Sequence, residues 1–161
     1  MELPKRKPNR LSYYDYSAPG AYFITICTKN RRNLFWVNAG QSVAHPQLSR
    51  WGNVVQNAIC SISKHYPAVS VDLFAIMPNH IHLLLQINTN ADGRAMLAPT
   101  ISTVIQQFKG SVTKQIGQSV WQKLFHDHVI RNAQDYLKIL EYIDNNPARW
   151  TEDCFYMEEA Q

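Results

Sequence analysis

The segments Val69 to Met77 and His80 to Ile87 are two apolar runs separated only by Pro78-Asn79, and this stretch constrains the chain more than any other. Two such runs flanking a Pro-Asn step predict an antiparallel hairpin or a sharp bend. Side chains alternate faces along a strand, so His80 and His82 point one way while Ile81, Leu83 and Leu85 point the other. Two imidazoles are thereby aimed at one place. A His-x-His pair is a weak signal taken alone, because a part-buried histidine bonded to backbone is commoner than a metal ligand.

Downstream, Tyr142-Ile143-Asp144-Asn145-Asn146-Pro147 lies at the end of an amphipathic pattern. The four-residue step from Tyr142 to Asn146 puts a phenol and a carboxamide on one helix surface, where the amide oxygen can complete a ligand set. Pro147 disfavours α geometry at Asn146 and weakens that expectation at its last residue. A tyrosine in such a place is more often a packing residue with a wet hydroxyl.

With 161 residues, 45% of them hydrophobic, the chain suits one core. The formal charge of +4 permits a polyanionic partner without requiring one. Arg6, Lys7 and Arg10 crowd the start, Lys29, Arg31 and Arg32 follow the first apolar run, and Lys109 stands on the wet side of a helical pattern. Each cluster suits a solvated surface as well as phosphate contact. Cys27, Cys60 and Cys154 are scattered and odd in number, which fits a reducing, cytoplasmic setting. No run is long enough to cross a bilayer, and no secretory signal opens the chain.

Residues 1–20 read as a basic N-terminal arm, 21–150 as the folded domain and 151–161 as a C-terminal tail. Ala21 to Thr28 alternates like a strand, with Leu34 to Val37 a short return strand and Val43 to Leu48 a further piece. Helical spacing predicts helices over Asn53 to Lys64, from Pro99 through Val112, and from Ala133 after an Asn132 cap. The last of these buries Tyr136, Leu140 and Ile143, flanked by Leu137 and Ile139. Val120 to Ile130 supplies a last strand or two. Strand, helix, strand, strand, helix, strand, helix is a ferredoxin-like α+β order, an antiparallel sheet with helices packed on it.

Four ordered stretches carry a resemblance. They are Tyr14 to Thr28, Met77-Pro78-Asn79-His80-Ile81-His82, His128-Val129-Ile130-Arg131-Asn132, and Glu141 to Pro147. Together they resemble the single-tyrosine HUH transposases, and within them the REP-associated tyrosine transposases. The resemblance implies nicking and strand transfer on single-stranded DNA through a covalent 5′-phosphotyrosine, usually at hairpins of repeated palindromes. It assigns Tyr142 as nucleophile and His80, His82 and Asn146 as ligands of a divalent ion, Mg²⁺ or Mn²⁺. Arg131 and His128 match recurrent family positions, and Arg6, Lys7, Arg10, Lys29, Arg31, Arg32, Lys109 and Arg131 are the candidates for holding DNA. A monomer and a homodimer are both compatible with it.

Rival readings stay open at this level. His126-Asp127-His128 is a second His-x-His, and Tyr136 is a second candidate phenol. A domesticated hairpin-binding protein with little cleavage activity, or a metal hydrolase in which Tyr142 is structural, would carry the same motifs. No general base for a tyrosine is apparent.

Overall fold

Gly20–Cys27 forms strand β1, with Tyr22, Ile24 and Ile26 wholly buried on one of its faces. The computed structural model describes Leu11, residues 14–16, residues 18–88 and residues 99–158. Helices α1 (Arg50–Cys60) and α2 (Ile62–His65) then lead to the hairpin of β2 (Val69–Ile76) and β3 (His80–Ile87). Helix α3 (Ile101–Ile116), strand β4 (His126–Ile130) and helix α4 (Ala133–Asn145) complete the order, followed by a 3-10 turn at Pro147–Glu152. All pairings are antiparallel, in the order β2-β3-β1-β4, so the ferredoxin-like expectation holds.

β1 and β3 are the inner strands, and the register sets Cys27 opposite His80 and Thr25 opposite His82. Helix α4 covers the face that carries the histidines, packing on β2 and β3 through Ile139 and Ile143. The alternate residues Ile81, Leu83 and Leu85 are also wholly buried. α1 and α3, packed on each other, close that opposite face with Val55, Ile59, Val104, Ile105 and Phe108. Among the described residues no helix is long and apolar enough to cross a membrane.

The bend before the histidines is saturated with hydrogen bonds. Leu34 and Phe35 donate their amides to Pro78 O, Thr28 donates from both N–H and hydroxyl to Asn79 O, and Met77 N–H reaches His80 O. These claims explain one departure from expectation. The amides of Leu34 and Phe35 are taken by the hairpin turn, so the expected strands at Leu34 to Val37 and Val43 to Leu48 shrink to a single bridge, Trp36 to Leu48.

Other boundaries shift for local reasons. α1 begins at Arg50 because the Ser49 hydroxyl accepts from Gly52 N–H and caps it there, and it breaks at Ser61, whose hydroxyl bonds back to Asn57 O. Of the expected last strand, His126–Ile130 pairs along β1 and Trp121 makes a single bridge to Thr28, while Lys109 Nζ holds the carbonyls of Gln122 and Lys123 between them. The α4 stripe is rotated, with Ile139 and Ile143 most buried, Tyr136 and Leu140 part-buried and Leu137 exposed. Asn146 keeps α geometry (φ −59°, ψ −45°) despite Pro147. Proline is accepted as the first residue of the next helical turn, and Asn146 O takes the Arg149 amide while Pro147 O takes that of Val43.

Candidate metal and nucleophile site

His80 and His82 are buried, and their Nε2 atoms stand 3.1 Å apart. The other nitrogen of each ring is held from behind. Asn79 donates its amide NH₂ to Phe155 O at 2.8 Å, which leaves Asn79 Oδ1 to accept at 2.8 Å, so His80 Nδ1 carries the proton. His80 Nε2 therefore presents a lone pair. His82 Nδ1 lies 2.9 Å from Thr25 Oγ1, an arrangement of the kind that orients metal-binding imidazoles.

Burial holds both rings neutral. It lowers His80 well below the usual 6.5, with His82 and Arg31 adding to the effect, and lowers His82 to about 3. Neutral imidazole is the form that binds metal. A 3.1 Å separation also suits one N–H···N hydrogen bond, so spacing alone does not discriminate. The surroundings do. Asn146 Oδ1 is buried without a hydrogen-bond partner, and Asp153 Oδ2 lies 3.8 Å from His80 Nε2. An orphaned buried amide oxygen costs about 1–3 kcal/mol unless something accepts its lone pairs. Ligands about 2.1 Å from a six-coordinate ion sit roughly 3 Å from their neighbours, so two nitrogens and these oxygens fit a divalent cation.

Tyr142 reaches this place from α4. Its ring lies 5.3 Å from that of His82 and 6.1 Å from Phe23, and it remains 44% exposed. It opens onto a cleft of about 470 Å³ lined also by Lys138, Asn146, Arg149, Asp153 and Cys154. Desolvation pushes the phenol above its usual 10, Asp153's charge adds to this, and a hydrogen bond with the Asn146 side chain opposes it. The site thus combines a cation pocket with a protonated, accessible phenol at its rim.

The chain belongs to the IS200-like transposase family. The family pattern matches residues 19–146 and so takes in β1, the histidines and α4. A Haemophilus influenzae protein named only as uncharacterized is 35% identical, over 95% of this chain and 94% of its own length. The REP-associated tyrosine transposase of Escherichia coli is 24% identical, over 83% of this chain and 70% of its own. Among solved structures, a REP-associated tyrosine transposase bound to a REP hairpin shares the fold at a TM-score of 0.62 and 22% identity, covering 88% of this chain and 74% of that one.

Within this family member, Tyr142, His80, His82 and Asn146 are brought together, as expected from the motifs. The rivals are placed elsewhere. His128 pairs with Asp135 at 2.7 Å, His126 is exposed, and Tyr136 donates its hydroxyl to Asp72. Among the described residues, His80, His82 and Asp153 are the one converging group of His, Cys, Asp or Glu. Asp153 itself falls in the segment read as a tail, and no short-range signal marks it. Lys29, Arg31 and Arg32 lie exposed on the turn after β1, and Arg131 is exposed after β4. Lys109 is instead a clamp, its ammonium held by the carbonyls of Gln122 and Lys123. Arg6, Lys7 and Arg10 lie outside the described residues.

Proposed function

We propose that the protein nicks single-stranded DNA beside a hairpin and transfers the cut strand, with Tyr142 as nucleophile. The observation that carries this reading is the Tyr142 ring 5.3 Å from His82, on an open cleft that Asn146 and Asp153 also line. The hairpin in the related REP-associated transposase structure supports the choice of substrate.

In the chemistry, the Tyr142 oxygen bonds to phosphorus, the P–O3′ bond breaks, and the departing 3′ oxygen takes up a proton. The phenol proton passes to water in the cleft. One phosphodiester replaces another, so a 3′-hydroxyl can later attack, reform the strand and restore the phenol without a nucleotide cofactor. Mg²⁺ or Mn²⁺ held by His80, His82 and Asn146 would act as Lewis acid and orient the scissile phosphate. Asn146 also donates to the tyrosine oxygen and favours its ionised form. Lys29, Arg31, Arg32 and Arg131, with Arg6, Lys7 and Arg10 from the N-terminal segment, hold the phosphate backbone, which makes binding fall as salt rises.

A 3′-fluorescent single-stranded hairpin incubated with Mn²⁺ tests the proposal. The wild-type protein gives a covalent adduct on a denaturing gel, and Tyr142→Phe gives none. Cleavage that persists in Tyr142→Phe assigns the reaction to a metal-bound hydrolase instead, and binding with no wild-type adduct assigns the chain to hairpin binding alone.

A further inference from the structure

Asp153 has an environment that a tail residue would not need. Its side chain is 2% exposed, and its Oδ2 faces His80 Nε2 at 3.8 Å. Among the described residues His80 is the one basic side chain within 4.0 Å of it, and no lysine or arginine comes that close. Arg149, the nearest arginine in sequence, is paired with Glu152 at 2.7 Å. A carboxylate out of water without a cation is costly, and a metal ion is one of the few ways to balance it.

The segment is also built to aim this group. Asp153 N–H donates to Trp150 O, and Phe155 N–H donates to Asp153 Oδ1 at 2.7 Å, which leaves Oδ2 turned to the imidazoles. Beyond it, Phe155 O accepts from Asn79, and the Phe155 ring packs 4.6 Å from His80. Trp150, wholly buried, donates its Nε1 to Ala39 O and anchors the stretch from the other side.

We infer that Asp153 is a direct ligand of the divalent cation, the carboxylate of a four-donor set with His80, His82 and Asn146. The ligand atoms of His80, His82 and Asp153 already lie within 4.8 Å of one another, and Asn146, whose side-chain oxygen is unpartnered, lines the same cleft as Asp153. The inference rests on the metal site of the proposed function and extends it to a segment beyond the matched family pattern. It makes the chain after α4 part of the site, so that metal binding and the docking of residues 153–156 are one event.

Mn²⁺ binding to the full chain, followed by calorimetry and by the electron paramagnetic signal of free Mn²⁺, tests it without recourse to activity. Asp153→Asn keeps the acceptor for Phe155 N–H and removes the anion; it is expected to weaken Mn²⁺ at least tenfold and to lose most of the metal-induced rise in Tm. Glu152→Gln removes the same charge one residue away on the same cleft and is expected to change affinity less than twofold. Equal weakening in both variants shows a general field effect and overturns direct ligation, as does unchanged affinity in Asp153→Asn. His82→Ala separates the two levels: if it too leaves Mn²⁺ binding unchanged, the metal site itself is wrong, whereas loss in His82→Ala with none in Asp153→Asn rejects Asp153 alone.

Discussion

Two His-x-His tripeptides sit on strands of one sheet that flank β1 on either side, and only one is furnished for a cation. His80-Ile81-His82 lies on inner strand β3, where α4 and the Pro147–Glu152 turn seal it from water. His126-Asp127-His128 lies on edge strand β4, with His126 and His128 exposed. The register places Thr25 between them, with His82 opposite on one side and His126 on the other. Position in the sheet therefore separates two sequence motifs that are alike in kind. The inner pair is desolvated, fixed by Asn79 and Thr25, and joined by oxygen donors from remote segments. The edge pair has one ring bound to Asp135 at the start of α4, where the carboxylate already favours the helix N-terminus.

The largest expected contrast is in metal affinity. His82→Ala should lower Mn²⁺ affinity by about 100-fold or more, whereas His126→Ala should alter it by less than twofold, both read by calorimetry. Comparable losses in the two variants would break the comparison outright.

Acid stability sharpens it next. Below pH 6.5 the unfolded chain takes up a proton on each imidazole, while the folded chain holds His80 and His82 neutral, so their contribution to stability is complete above that pH and declines as pH falls toward 3. In EDTA the cost by pH 5 is about 2 kcal/mol for His82, with His80 adding in the same direction. Urea midpoints at pH 7 and pH 5 measure it, and the double variant His80→Gln/His82→Gln should flatten the dependence while His126→Gln leaves it in place.

The smallest effects separate the partners of the two pairs. Thr25→Val removes the group behind His82 and should weaken Mn²⁺ about tenfold. Asp135→Asn should leave metal binding alone and lower the stability of α4 by roughly 0.5–1 kcal/mol in denaturation. A reversed pattern would mean that the edge pair is the one tuned for metal.

Much of this was readable in advance because it depends on short-range periodicity. Alternation put His80 and His82 on one face, the helical step joined Tyr142 to Asn146, and the Asn132 cap set the start of α4. The misplacements arose where distant chain intervened. Strands expected near Trp36 gave way to bonds with the Pro78 turn, and a proline expected to turn Asn146 aside was overridden by bonds from Val43 and Arg149. Lys109 looked like a free cation on a wet helix face until the loop before β4 supplied its acceptors.

From the residues alone follow the ferredoxin-like order, the facing imidazoles and the shared helix surface of Tyr142 and Asn146, since each is a matter of spacing along a strand or helix. Tertiary structure alone decided which histidine pair is desolvated, left the Asn146 oxygen without a partner, and carried Asp153 from beyond Trp150 to within 4 Å of His80. Burial and convergence are properties of segments far apart in the chain, and no local pattern encodes the protein surface that will cover a given side chain.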